Sequence, residues 1–130
     1  MRPPPPKFLT TRQVLRLHAR QIARYGGSAG VRDIELLESA LAQPQQSFGG
    51  QYVHDDLAAM ATAYVYHIVK NHPFVDGNKR TGAYAGLFFL EINGASLTPV
   101  PQELGDLVLA VAEGNATKEQ VAGFFRDRMR

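Results

Sequence analysis

The segment Asn71-His72-Pro73-Phe74-Val75-Asp76-Gly77-Asn78-Lys79-Arg80-Thr81 gathers ionisable and amide side chains between the two most hydrophobic stretches of the chain. Its order suits an anion site. A helix start presents unpaired backbone N–H groups and the positive end of the helix dipole. Asn78 is a favoured N-cap type, and Gly77 lets the backbone come close to a ligand. Lys79 and Arg80 place two cations in the first turn, where they oppose the dipole by some tenths of ~1 kcal/mol, a penalty that a bound phosphate reverses. Asp76 suits magnesium, which takes one or two carboxylates together with phosphate oxygens. His72, four residues earlier, can take a proton from an attacking hydroxyl. Singly, each group has an ordinary reading: a loop histidine, a capped turn, a solvated pair of cations. Together, at this spacing, they favour phosphate chemistry.

The elements around this segment read as helices. Thr10-x-x-Gln13 has the capping-box form, with a helix to about Arg24, an apolar face of Val14, Leu15, His18, Ala19 and Ile22, and a stop at Gly26-Gly27. Asp33 starts a second helix with Ile34, Leu37 and Leu41 inward, closed by Pro44. Asp55-Asp56 opens a third, apolar nearly all round, reaching Asn71; a fourth runs from Asn78 to Asn93. Such helices are central and buried. Gly82 and Gly86 share a face of the fourth and each lowers helix propensity by ~1 kcal/mol relative to Ala, so close approach to the Ala-rich third helix is expected. Pro99 and Pro101 lead a fifth helix with Leu104, Leu107, Val108 and Val111 inward. Thr117-x-x-Gln120 caps a sixth with Val121, Phe124 and Phe125 buried. Strand signals are poor. The expectation is an all-α, single compact domain of about six helices, with the motif loop between two buried central ones.

Composition narrows the function. At 130 residues, 45% hydrophobic and 20% charged, the chain is of ordinary globular composition and suits one domain. Cysteine is absent, which removes disulfides, thiolate nucleophiles and cysteine zinc sites. The longest clear uncharged apolar run, residues 83–90, is far short of the ~20 residues a membrane helix needs, and the Pro-rich residues 1–7 lack a signal-peptide core. A flexible arm (1–7), a domain over 8–130 and a cytoplasmic location are expected. Net charge is only +2, yet residues 1–32 carry seven basic and no acidic groups. Arg12, Arg16, Arg20 and Arg24 form a stripe opposite the apolar face of the first helix: a solvated face or a partner surface, with nucleic acid the weakest reading.

The motif at residues 72–81 resembles the signature of the Fic/Doc family. Fic proteins resemble His-Pro-Phe-x-(Asp/Glu)-Gly-Asn-Gly-Arg, and Doc (death on curing) toxins resemble His-x-Phe-x-(Asp/Asn)-(Ala/Gly)-Asn-Lys-Arg-Thr. Lys79 in place of the second glycine, and Ala83 where many Fic enzymes carry a second arginine, point to Doc. Leu17-His18, Arg24-Tyr25-Gly26-Gly27 and Gly30, and the run Leu87-Phe88-Phe89-Leu90 with Asn93-Gly94, extend the resemblance over most of the chain.

The resemblance implies an all-helical fold and a toxin kinase that phosphorylates a threonine of elongation factor Tu from ATP with Mg2+. It implies His72 as general base and Asp76 as the magnesium-linked carboxylate. Gly77, Asn78, Lys79 and Arg80 would hold phosphates, with Arg80 also catalytic. AMP transfer of the Fic type is the alternative, as is a catalytically silent binding module. The uncharged-looking loop 43–54 falls where the family places a target-docking flap, with Phe48 and Tyr52 as aromatic contacts. A Phd-like antitoxin is implied in trans. The internal inhibitory motif of some Fic enzymes is incomplete, since Glu113-Gly114 matches its end but Leu109 stands where Ser or Thr is required.

Overall fold

Among the described residues six α-helices form where caps and apolar periods place them: α1 (Thr11–Tyr25), α2 (Ile34–Ala42), α3 (Leu57–Asn71), α4 (Asn78–Ile92), α5 (Glu103–Ala112) and α6 (Lys118–Arg128). The computed structural model describes residues 4–97 and 102–130. The Pro99 and Pro101 lead-in to the fifth helix lies outside them, as do the first three residues of the arm. Both capping boxes are complete: Thr10 Oγ1 accepts from Gln13 N while Gln13 Oε1 accepts from Thr10 N, and Thr117 and Gln120 repeat this at α6. Asp33 and Asp56 cap α2 and α3.

The α3–α4 pair is the centre. Nine of the fifteen α3 residues are buried, Tyr64, Val65 and Ile68 fully. Gly82 and Gly86 make the contact possible. A Cβ at Gly86 would lie 2.7 Å from Val65 Cγ2 and 3.2 Å from the Ala61 carbonyl; one at Gly82 would lie 3.0 Å from Val69 Cγ2. α1, α2, α5 and α6 pack around this pair through Val14, Leu37, Leu41, Leu104, Val108, Val111, Val121 and Phe125.

Several local expectations change. Ala19 and Ile34 face solvent, while Leu107 and Phe124 are half-buried, so the outer helices bury narrower stripes than the pattern predicts. α2 ends at Ala42, and Pro44 sits in a 3-10 turn, Gln43–Gln45, where its missing N–H costs nothing. The loop that follows contains a small hairpin, β1 (Ser47–Phe48) and β2 (Gln51–Tyr52), with Ser47 opposite Tyr52. Positive φ at both Gly49 and Gly50 (60° and 79°) is the geometry that closes a two-residue hairpin. Two-residue strands are too short to leave an alternating pattern. Phe8, ahead of α1, stacks on Phe89 and meets Tyr52 edge-on, fastening the hairpin to the core. The backbone of Lys7 pairs with the Asn93 carboxamide through two hydrogen bonds. Among the described residues no helix is long and apolar enough to cross a membrane.

Candidate active site

His72 ends α3 as its C-cap in the left-handed conformation (φ 52°, ψ 53°), and it is the only such non-glycine residue described. Arg32 explains why the turn holds. Its Nε donates to the His72 carbonyl (2.7 Å) and its Nη2 to the Asn71 carbonyl (3.0 Å), satisfying two carbonyls that a helix end leaves free. The backbone N–H groups of Arg32 and Asp33 both donate to the Pro73 carbonyl, and Val75 N donates to Gly30 O. The loop before α2 therefore grips the motif along its length, leaving the His72 side chain exposed.

Asp76 is seated by backbone. Its Oδ2 accepts from Ser28 N (3.1 Å) and its Oδ1 from Gly77 N (2.8 Å). These two N–H donors, Ser28 first, hold the carboxyl below the usual carboxylate range, with Lys79 adding a smaller pull. Gly27 has to be glycine: its φ is +114°, and a Cβ there would stand 2.6 Å from Asp76 Oδ2. Behind the carboxylate, His18 stacks on Phe74 with ring centroids 3.8 Å apart, and its Nε2 donates to the Asp76 carbonyl (2.8 Å). The sequence offers one signal for this role of His18, a histidine on the apolar face of α1.

Asn78 differs from expectation. Gly77, in the left-handed region (φ 78°), is the N-cap, and Asn78 is the first helical residue. The buried Asn78 carboxamide accepts from Phe74 N (2.9 Å) and donates to Phe74 O (3.0 Å). Its side chain thus braces the turn, and what Asn78 can offer an anion is its backbone N–H. Among the described residues no side chain caps α4, and its first turn carries no acid. The open N–H groups, Lys79 and Arg80 stand together, and among the described residues neither cation has a carboxylate within ion-pair distance. Arg80 rests its guanidinium on the Tyr25 ring, 3.9 Å from the centroid, with Arg24 5.4 Å from the same ring.

Two hollows flank this helix start. One, of about 490 Å3, runs between α4 and α5 from Asp76–Arg80 to the apolar walls of Ala83, Leu87, Val108 and Leu109. The other, about 250 Å3, contains His72 and Lys70 and shares Asp76, Gly77, Asn78 and Lys79 with the first. His72, Asp76, Gly77, Asn78, Lys79 and Arg80 are therefore brought to one place.

Among the described residues no three potential ligands cluster to enclose a metal. Asp76 is a lone carboxylate whose two oxygens each accept one backbone hydrogen bond, so each retains acceptor capacity. That donor set fits magnesium shared with phosphate oxygens rather than a metal held by protein alone. Bound there, the ion would supply charge neutralisation on the phosphates.

The family model described as Fic/DOC family matches residues 8–90. A protein of Escherichia phage P1 named Protein kinase doc is 30% identical over 120 residues, spanning 92% of this chain and 94% of that protein. A Mycolicibacterium smegmatis protein named Toxin Doc is 42% identical over 73 residues, 56% of each chain.

Proposed function

This chain belongs to the Fic/DOC family, and from that premise we propose that it is a Doc-type toxin kinase that transfers the γ-phosphate of ATP to a threonine hydroxyl of elongation factor Tu, arresting translation. The observation that carries the reading is the uncapped α4 start, with Lys79 and Arg80 unpaired among the described residues, between an apolar groove and the hollow that contains His72. The groove has the size and walls for a nucleoside. The backbone N–H groups of the first turn, Lys79 and Arg80 receive the phosphates. Asp76 is the residue that would share magnesium with them.

In the transfer, His72 accepts the proton of the target hydroxyl. The oxygen forms a bond to the γ-phosphorus, the bond from that phosphorus to the β–γ bridging oxygen breaks, and ADP leaves. Phosphoryl transfer asks mainly for positioning and charge stabilisation, which is what the Arg32 clamp, the two N–H donors on Asp76 and the cationic turn provide. The Phe48–Tyr52 hairpin is the docking flap for the target. Phe48 is 86% exposed, an apolar ring that bare solvent disfavours. A Phd-like antitoxin restrains the toxin in trans.

The test is incubation with elongation factor Tu and ATP labelled at the γ- or the α-phosphate. Transfer of γ-label to the factor, lost in His72→Ala, is expected. Transfer of α-label alone would replace this reading with AMP transfer.

A further inference from the structure

Tyr25 and Tyr84 stand beside the proposed phosphate site without belonging to the motif. Tyr25 is the last residue of α1, and Tyr84 lies one turn after Arg80 on α4, lining the larger groove. The neighbouring Tyr84 phenol draws the Tyr25 hydroxyl below its ordinary value, with Arg24 and Arg80 adding smaller pulls in the same direction. The Tyr25 ring in turn carries the Arg80 guanidinium at 3.9 Å.

We infer that Tyr25 is a positioning residue: its ring is the shelf on which Arg80 lies, so that Arg80 faces the groove ready for a polyphosphate. This rests on the nucleotide reading above and extends it to a residue outside the motif.

A guanidinium stacked on an aromatic ring uses its face, while its five N–H donors lie in the plane at the edge. Stacking therefore fixes orientation and leaves the hydrogen-bonding edge available for bidentate contact with phosphate. An ion pair would also fix orientation, but it would occupy that edge; among the described residues Arg80 has none. The same ring lies 5.4 Å from Arg24. Two guanidiniums around one ring repel each other, and a bound polyanion relieves that repulsion. Both tyrosines are more than a third exposed, at 44% and 38%, so neither is held there by the core.

Two measurements separate this inference from the nucleotide reading. The first needs no ligand: the Arg80 Nε–H proton, followed by NMR, is displaced upfield by the Tyr25 ring current. The displacement is expected to persist in Tyr25→Phe and to collapse in Tyr25→Leu. The second is affinity for MgATP and for inorganic pyrophosphate. Tyr25→Leu weakens binding of both about 5-fold, in the range a cation–π contact supports. Tyr25→Phe keeps most of the affinity. In transfer assays the Tyr25→Leu loss appears in KM for ATP more than in kcat. An Arg80 signal indifferent to Tyr25→Leu, or unchanged anion affinity in that variant, overturns the inference. A wild-type protein that binds pyrophosphate but not MgATP contradicts the nucleotide reading and leaves the shelf standing. Binding of neither overturns both.

Discussion

At the scale of single residues, the site depends on backbone conformations that few side chains tolerate. His72 occupies the left-handed region at the end of α3 with its carbonyl held by Arg32. Glycine adopts that conformation freely. His72→Gly is therefore expected to change stability by less than about 1 kcal/mol while abolishing transfer, which urea unfolding alongside a transfer assay checks. Gly27→Ala does the opposite kind of damage: the new methyl group takes the space of Asp76 Oδ2, 2.6 Å away. Loss of transfer with a displaced Asp76 is expected, visible as an Asp76 carboxyl that no longer titrates below the usual range by NMR. The depressed value also fixes a sign. Asp76 contributes to stability above the ordinary carboxylate value of 3.8, and the contribution is lost as pH falls through the lower folded value. The motif residues were legible in sequence because their types and spacing are unusual together. The role of the Asn78 carboxamide was not, since an asparagine beside a glycine reads equally as a cap or as a brace, and only the path of the turn puts the Phe74 backbone within its reach.

At the scale of elements, the α3–α4 contact sets where the motif turn sits. Its two glycines were readable as a contact face because they break helix propensity on one side of α4. Gly86→Ala regains about 1 kcal/mol of propensity but drives a methyl to 2.7 Å from Val65 Cγ2 and 3.2 Å from the Ala61 carbonyl. Overpacking of this kind costs about 1–3 kcal/mol, so the variant is expected to lose about 1 kcal/mol net, read from its urea midpoint. The hairpin was not legible, because four strand residues around Gly49-Gly50 carry no period.

A second feature of α3 is His67, whose Nε2 is buried with no hydrogen-bond partner among the described residues. Burial first, then Lys118 and His54, pushes its value down to about 4. Between 6.5 and about 4 the unfolded chain takes a proton that the folded chain refuses, so stability falls as pH drops through that window and levels below it. Replacing His67→Leu is expected to reduce the difference in urea midpoint between neutral pH and about pH 5; an unchanged difference would remove His67 as its source.

At the scale of the whole molecule, the charge distribution has two parts with different surroundings. The Arg12, Arg16 and Arg20 stripe lies on the exposed face of α1, away from the α4 contact. Arg24, at the end of the same stripe, reaches the Tyr25 ring on which Arg80 lies. Helix number and order, and the side-chain caps of α1, α2, α3 and α6, were legible from the sequence, because capping boxes and apolar periods are local signals. The convergence of loop 26–33, α1 and the α4 start on Asp76 was not, because it depends on long-range packing such as Ser28 N on the Asp76 carboxylate, 48 residues apart, and His18 Nε2 on its carbonyl.

The central claim is which phosphorus of ATP the target hydroxyl attacks at this cationic turn. Phosphorus NMR of the complete reaction, with MgATP and elongation factor Tu, reads that directly. ADP and a phosphomonoester on the factor, formed in equal amounts and absent with His72→Ala, are the expected products. Pyrophosphate together with a phosphodiester on the factor would contradict it.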